Sequence, residues 1–243
     1  MQRSIDSEVR RAIRNQLIFS VLLVLAGLVL DALAFFNVPS MLRGRSFLGG
    51  IFLAIAAIAM PWYGIWNFRR NLRWRNNLDE HPAFVCPAFG APSQVRQALQ
   101  HVLNAPGAVK VGPVLATADW MLEVGRWGVQ SVYFPSVAWC YKHVTAHKYY
   151  GIITIRKSYA FHLWTVDGKQ VVRGEVKEAE VDQLLALTAE RAPAAVCGHT
   201  KEAEDLWNNH REKFLQSVEY RRQCLAQEAT PYSSTAPPAW QSP

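Results

Sequence analysis

The chain has 243 residues, half of them hydrophobic, and a formal net charge of +7. That basicity is confined to residues 1–75, which hold ten arginines, no lysine and three acids (Asp6, Glu8 and Asp31). Residues 76–243 balance sixteen basic against sixteen acidic side chains, so most of the chain lacks the positive footprint that a nucleic-acid backbone requires, and no nucleic-acid partner is expected.

Two apolar runs open the chain. Leu17–Phe36 is twenty residues long with a single charge, Asp31, and Phe47–Trp66 is equally long with none. At about 1.5 Å per residue each covers a hydrocarbon core of about 30 Å. A backbone crossing lipid must satisfy its hydrogen bonds internally, so both runs are predicted as helices, and residues 1–67 as a transmembrane hairpin. Ala32-Leu33-Ala34 resembles a signal-peptidase site, but the first run is too long for a signal peptide and Asp31 precedes the site.

Arginine sets the predicted orientation. Arg3, Arg10, Arg11 and Arg14 precede the first run, Arg69, Arg70, Arg73 and Arg75 follow the second, and only Arg43 and Arg45 lie in the Asn37–Ser46 connection. The positive-inside rule then gives a multi-pass protein with both termini cytoplasmic. Trp62, Tyr63, Trp66 and Trp74 collect near the cytoplasmic end of the second run, where amphipathic aromatics are favoured. Gly50, Ala54 and Ala57 are expected to meet Ala26 and Gly27 across a small-residue helix contact, and Pro61 to kink the second helix. Asp31 is the one ionisable residue within either run and so an intramembrane candidate, although its place near the outer end lets it reach headgroup water.

Residues 68–80 read as a basic juxtamembrane linker, whose Arg69, Arg70, Arg73 and Arg75 attract anionic headgroups at about 1 kcal/mol each. Residues 81–228 read as a soluble domain. Ser93 is the expected N-cap of a short amphipathic helix carrying Val95, Leu99 and Val102. From about Val109 to Val176 the pattern is strand-like, with runs at Trp120–Val124, Val129–Phe134, Val137–Val144, Tyr149–Ile155, Tyr159–Val166 and Gln170–Val176, the last two joined through Asp167-Gly168. Short connections imply an antiparallel meander of about six strands. Helices resume at Lys177–Arg191, burying Val181, Leu184, Leu185 and Thr188, and at Lys201–Glu228, with Ala203, Trp207, Phe214, Val218 and Leu225 on one stripe. The Pro- and Ser-rich stretch 229–243 is expected to be disordered. The fold class is thus α+β, a helical hairpin followed by a meander that resembles a pleckstrin-homology-like barrel with flanking helices.

Two segments carry a family resemblance: VAWCYKHVTAHKYYGIITIRK at Val137–Lys157 and AERAPAAVCGHTKEAEDLWNNHREKF at Ala189–Phe214. The Glu190-Arg191-Ala192-Pro193 turn and the Glu204-Asp205-Leu206-Trp207 segment are its more specific parts. Together they resemble an uncharacterised family of bacterial two-helix membrane proteins with a pleckstrin-homology-like cytosolic domain. The resemblance implies that architecture and a bacterial inner membrane, and carries over no catalytic residue. Read from the residues alone, Pro193 stops the preceding helix, Gly198 permits a backbone that other residues resist, and Trp207 is a large core anchor.

No catalytic, cofactor or metal site is expected. His143 and His147 have helical ligand spacing beside Cys140, but on a strand they stand about 13 Å apart, too far for one ion. His81, His101, His162, His199 and His210 are scattered, and Gly125-Arg126-Trp127-Gly128 reads as a turn rather than a phosphate loop. Glu175, Glu178 and Glu180 read as a solvated helix start. Cys86, Cys140, Cys197 and Cys224 form no CxxC pair, and cytoplasmic placement makes free thiols the default. The expected role is a non-enzymatic binding or scaffolding module at the cytosolic membrane face, with the lipid bilayer and a protein as partners. A subunit of an envelope or transport complex that uses the hairpin as its interface is the first alternative. An enzyme whose site is assembled from distant residues is the second.

Overall fold

The apolar run at Leu17 continues a helix that begins three turns earlier. Helix α1 spans Ile5–Met41 and α2 spans Phe47–Asn76. This computed structural model describes residues 3–41, 47–149 and 153–229. Within them lie six α-helices and two sheets, a mixed α+β chain that divides into two compact units, Met1–Tyr133 and Phe134–Pro243. The stretch read as one soluble domain, 81–228, is thereby shared between both units.

In the first unit, Ile5–Leu33 of α1 is, among the described residues, the one helix stretch long and apolar enough to cross a membrane, and only 11 % of its most apolar part is buried by protein. The second expected span begins with side chains outside the described set. The two helices meet along a seam of small residues. A β-carbon at Gly64 would stand 2.8 Å from Val24 Cγ2 and 2.9 Å from Ser20 O, and one at Gly27 would run into Pro61. Ala57 is buried at the same seam spacing, whereas Ala26 is exposed and takes no part. Gly50 and Ala54 lie outside the described side chains.

The linker predicted over 68–80 is helix as far as Asn76, followed by a 3₁₀ turn at Leu78–Glu80 that Asn77 caps by accepting from Asp79 N. Helix α3 (Pro92–Asn104) starts one residue before the expected Ser93 cap, because Pro92 occupies the first turn and the Gln94 side chain accepts from Ala91 N. Strands β1 (Val109–Val111), β2 (Val114–Ala116), β3 (Trp120–Val124) and β4 (Val129–Tyr133) form an antiparallel meander in chain order. The core of this unit joins Ile5, Val9, Ala12 and Ile13 of α1 to Val95 and Leu99 of α3, Phe84, and Trp120 and Leu122 of β3. Polar ties fix the same docking: Gln100 accepts from Ile5 N at 2.8 Å, and Arg96 pairs with both Asp6 and Asp79. The first turns of α1 are thus part of a folded core as well as the approach to the apolar span.

The second unit is built on β5 (Val137–Tyr149), β6 (Ile153–Thr165), β7 (Gln170–Val176) and the two-residue β8 (Val196–Cys197), in the order β7-β6-β5-β8. Strands β5, β6 and β7 are antiparallel, and β8 joins β5 in parallel. Two expected strands, Tyr149–Ile155 and Tyr159–Val166, are here the single thirteen-residue β6 and the end of β5. Arg156, Lys157 and Ser158, read as a break, pair in register with His147, Ala146 and Thr145. Polar residues do not interrupt a ribbon whose faces are solvated. Gly168 turns the β6–β7 hairpin at φ 86°, as Asp167-Gly168 led one to expect.

Helix α4 (Glu178–Arg191) buries Leu187 where Leu185 was expected. The predicted helix over Lys201–Glu228 is two, α5 (Lys201–Asn209) and α6 (Arg211–Ala229), broken at His210, whose φ of −137° leaves the helical region after the weak helix formers Asn208 and Asn209. Trp207, Phe214 and Val218 are buried against Ala138 and Trp139, while Leu225 is exposed. The stretch 230–243 of the expected disordered tail lies outside the described residues.

Candidate membrane-proximal site

The first unit carries a polar and aromatic collar where its apolar helices end. Leu22, Leu25, Val29 and Leu33 on α1, and Ile55, Ile58, Trp62 and Ile65 on α2, are exposed large apolar side chains. Below Leu17 on α1 the exposed positions include Arg10, Arg11 and Arg14, and beyond Trp66 on α2 they include Arg69, Arg73 and Arg75 beside Phe68 and Leu72.

Arg10, Arg11, Arg14 and Arg75 line one groove of about 520 Å³ whose floor includes Ile13 and Leu17. Arginine presents donors in a fork that matches phosphate oxygens, and here four of them share a groove with apolar side chains. Arg11 is also paired with the buried Glu8 at 3.1 Å, which leaves Arg10, Arg14 and Arg75 as the freer cations of the four.

Arg70 is held differently. Its guanidinium lies 4.6 Å from the Trp66 ring and 4.9 Å from the Trp74 ring, and donates to Asn67 Oδ1 at 2.6 Å. This fixes Arg70 as a structural clasp on α2, while Arg75 lines the groove and Arg69 and Arg73 are exposed. A second cavity of about 450 Å³ is lined by Arg70 itself together with Ser20, Asn67, Asn71 and Trp127. The predicted turn Gly125–Gly128 is confirmed by Gly125 N donating to Gly128 O, and Asn15 and Gln16 of α1 donate to its Arg126 and Trp127 carbonyls. Asp31 is exposed on α1, and seventeen residues beyond Arg14 it stands about 25 Å along the helix from the groove.

The second unit gathers histidines that looked scattered in sequence. Tyr141 stacks on His162 with centroids 4.9 Å apart and lies 4.8 Å from His199, while His143 is 5.5 Å from His162. Trp139 stacks on His199 and donates from Nε1 to Gly198 O at 2.7 Å. Strand register is what assembles them, because Tyr141 pairs directly with His162 across β5 and β6. Burial holds the His162 imidazole below its ordinary pKa, with His143 and His199 adding to the effect. Burial also raises the Tyr141 phenol, and Lys142 is raised by its bonds to Glu178 at 2.8 Å and Asp182 at 2.9 Å.

His147, like His143, is on β5, and it bonds Ser158 at 2.9 Å. Among the described residues no three His, Cys, Asp or Glu side chains come together to hold a metal ion. No family model, curated protein or solved structure matches the chain.

Proposed function

We propose that this chain is a membrane-anchored, non-enzymatic binding or scaffolding module at the cytosolic face of a bacterial inner membrane. The observation that carries the reading is the exposed apolar belt of α1 and α2, closed at one end by arginines and tryptophans. From Ile18 to Leu33 that belt is about 22 Å long on α1 alone, far beyond the isolated apolar side chains normal on a soluble surface.

The reading makes α1 and α2 a transmembrane hairpin with both termini cytoplasmic. It is supported by the direction of the seam: Ser20 and Val24 meet Gly64, while the later Gly27 meets the earlier Pro61. The arginine groove then lies at the inner leaflet and takes anionic headgroups, and Asp31 lies towards the opposite surface. Two consecutive antiparallel meanders followed by a helix support the pleckstrin-homology-like reading and, with it, the resemblance to the bacterial two-helix family. The second unit, with its histidine and aromatic face, is the part that meets a protein partner.

Alkaline carbonate washing of membranes tests the anchor, and the protein should stay in the pellet. Release into the supernatant would overturn the proposal. In nanodiscs, anionic lipid should raise the melting midpoint over zwitterionic lipid at about 0.1 M salt, where the screening length is about 10 Å, and lose that effect near 1 M. The triple variant Arg10→Gln, Arg14→Gln, Arg75→Gln should remove most of it. A stoichiometric membrane protein that co-purifies in mild detergent supports the scaffolding role. A chain that purifies alone and turns over a substrate contradicts it.

A further inference from the structure

We propose that Cys140 and Cys197 are a reversible redox pair that closes to an intramolecular disulfide by exchange with a low-molecular-weight disulfide such as oxidised glutathione. The pair is built by sheet register. Strand β8 lies parallel to β5 with Cys197 opposite Cys140, and Gly198 N donates to Cys140 O at 2.8 Å. Neighbouring strands stand about 4.8 Å apart, within the roughly 4.4–6.8 Å between α-carbons that a disulfide spans. Directly opposed residues leave a sheet on the same face, and the two sulfurs are 3.3 Å apart as free thiols. Reaching the bonded distance of about 2.05 Å takes about 1.3 Å of sulfur movement, within reach of small side-chain rotations.

The two thiols are unequal in the way exchange requires. Cys140 is fully buried and Cys197 is exposed, so an external reagent meets Cys197 first. The hydrogen bond between the two sulfurs brings the Cys197 thiol down to about 7, and Arg221 adds to the effect. The same bond, together with burial, pushes Cys140 up. Cys197 is therefore the attacking thiolate near neutral pH and Cys140 the resolving thiol.

The chemistry balances. The Cys197 thiolate attacks one sulfur of the external disulfide, forming a mixed disulfide and expelling one thiolate. Cys140 then loses its proton to that thiolate, and its sulfur attacks Cys197 Sγ, breaking the mixed disulfide and expelling the second small thiolate, which takes up from solvent the proton that Cys197 released on ionising. The two cysteines are oxidised by two electrons in all, and one external disulfide is reduced to two thiols. The new bond ties the two-residue β8 to β5, and with it the approach of Gly198 and His199 to Trp139 and Tyr141.

The test uses the full chain in detergent micelles, equilibrated against mixtures of reduced and oxidised glutathione, alkylated, digested and analysed by mass spectrometry. Two alkylatable thiols should disappear together, a cross-linked peptide containing Cys140 and Cys197 should appear two hydrogens lighter, and Cys86 and Cys224 should stay alkylated. Dithiothreitol should restore both thiols. In Cys140→Ala the glutathione adduct should instead accumulate on Cys197, and in Cys197→Ala the Cys140 thiol should remain free. Should either variant fail to fold, the wild-type mass measurement alone decides. A wild-type chain that accumulates the adduct on Cys197 while Cys140 stays alkylatable overturns the proposal, as does a cross-link through Cys86 or Cys224, or four thiols that all survive oxidation.

Discussion

Two isoleucines of one helix separate the folded core from the lipid-facing belt. Ile13 is 2 % exposed and packs with α3 and β3, whereas Ile18, five residues on, is 55 % exposed. Replacing Ile13 by Ala removes three buried carbons, worth about 2.4 kcal/mol at about 0.8 kcal/mol each, and the residual cavity raises the cost to about 3–4 kcal/mol. For a unit of this size that lowers the melting midpoint by about 10 °C. Ile18→Ala deletes the same atoms where detergent or lipid replaces water, so its cost should stay within about 0.5 kcal/mol. Thermal unfolding of the full chain in micelles, followed by tryptophan fluorescence, reads both. Equal midpoints for the two variants would refute the docking of the first turns of α1 into the core, because the chemistry of the two substitutions is identical.

The helix seam gives a second expectation: Gly64→Leu forces a side chain against Val24 and the Ser20 carbonyl and should cost about 1–3 kcal/mol. Gly107→Ala, which meets nothing within 4 Å, should leave the midpoint unchanged, and a neutral Gly64→Leu would mean that the helices do not touch there. The third concerns pH. His162 is held below its ordinary pKa by burial, then by His143 and His199, so its neutral form is favoured on folding. Its contribution is complete above the unfolded imidazole pKa of about 6.5 and is lost as pH falls from there towards the lowered folded value. Melting midpoints should therefore drop on acidification through that window, and His162→Gln should lessen the drop. A variant with the wild-type slope would show that other groups carry it.

The two apolar runs and the collar of arginines were legible because composition alone marks them. The core role of α1 was present in the spacing of Ile5, Val9, Ala12, Ile13 and Gln16, a helical stripe, but Arg10, Arg11 and Arg14 alternate with it and draw attention to topology. One helix face enters the core while the other bears the charges, and a count of arginines does not separate faces. The four arginines chosen from sequence as headgroup contacts sit in different surroundings for a related reason. Arg70 is drawn between Trp66 and Trp74 by contacts that depend on the helix continuing to Asn76. The histidine face and the Cys140–Cys197 pair were hidden entirely, since both arise from register between strands distant in sequence. Period-two alternation says which residues share a face and nothing about which residue of the next strand lies opposite.

Topology mapping in living bacteria tests the central claim most directly. A reporter that works only in the cytosol should be active when fused after Glu228, and one that works only outside should be active when inserted into the Asn37–Ser46 connection. That pair of results places the arginine groove and the Cys140–Cys197 thiols on the cytosolic side of the membrane. A cytosol-only reporter that is active in the Asn37–Ser46 connection and silent after Glu228 would contradict the account.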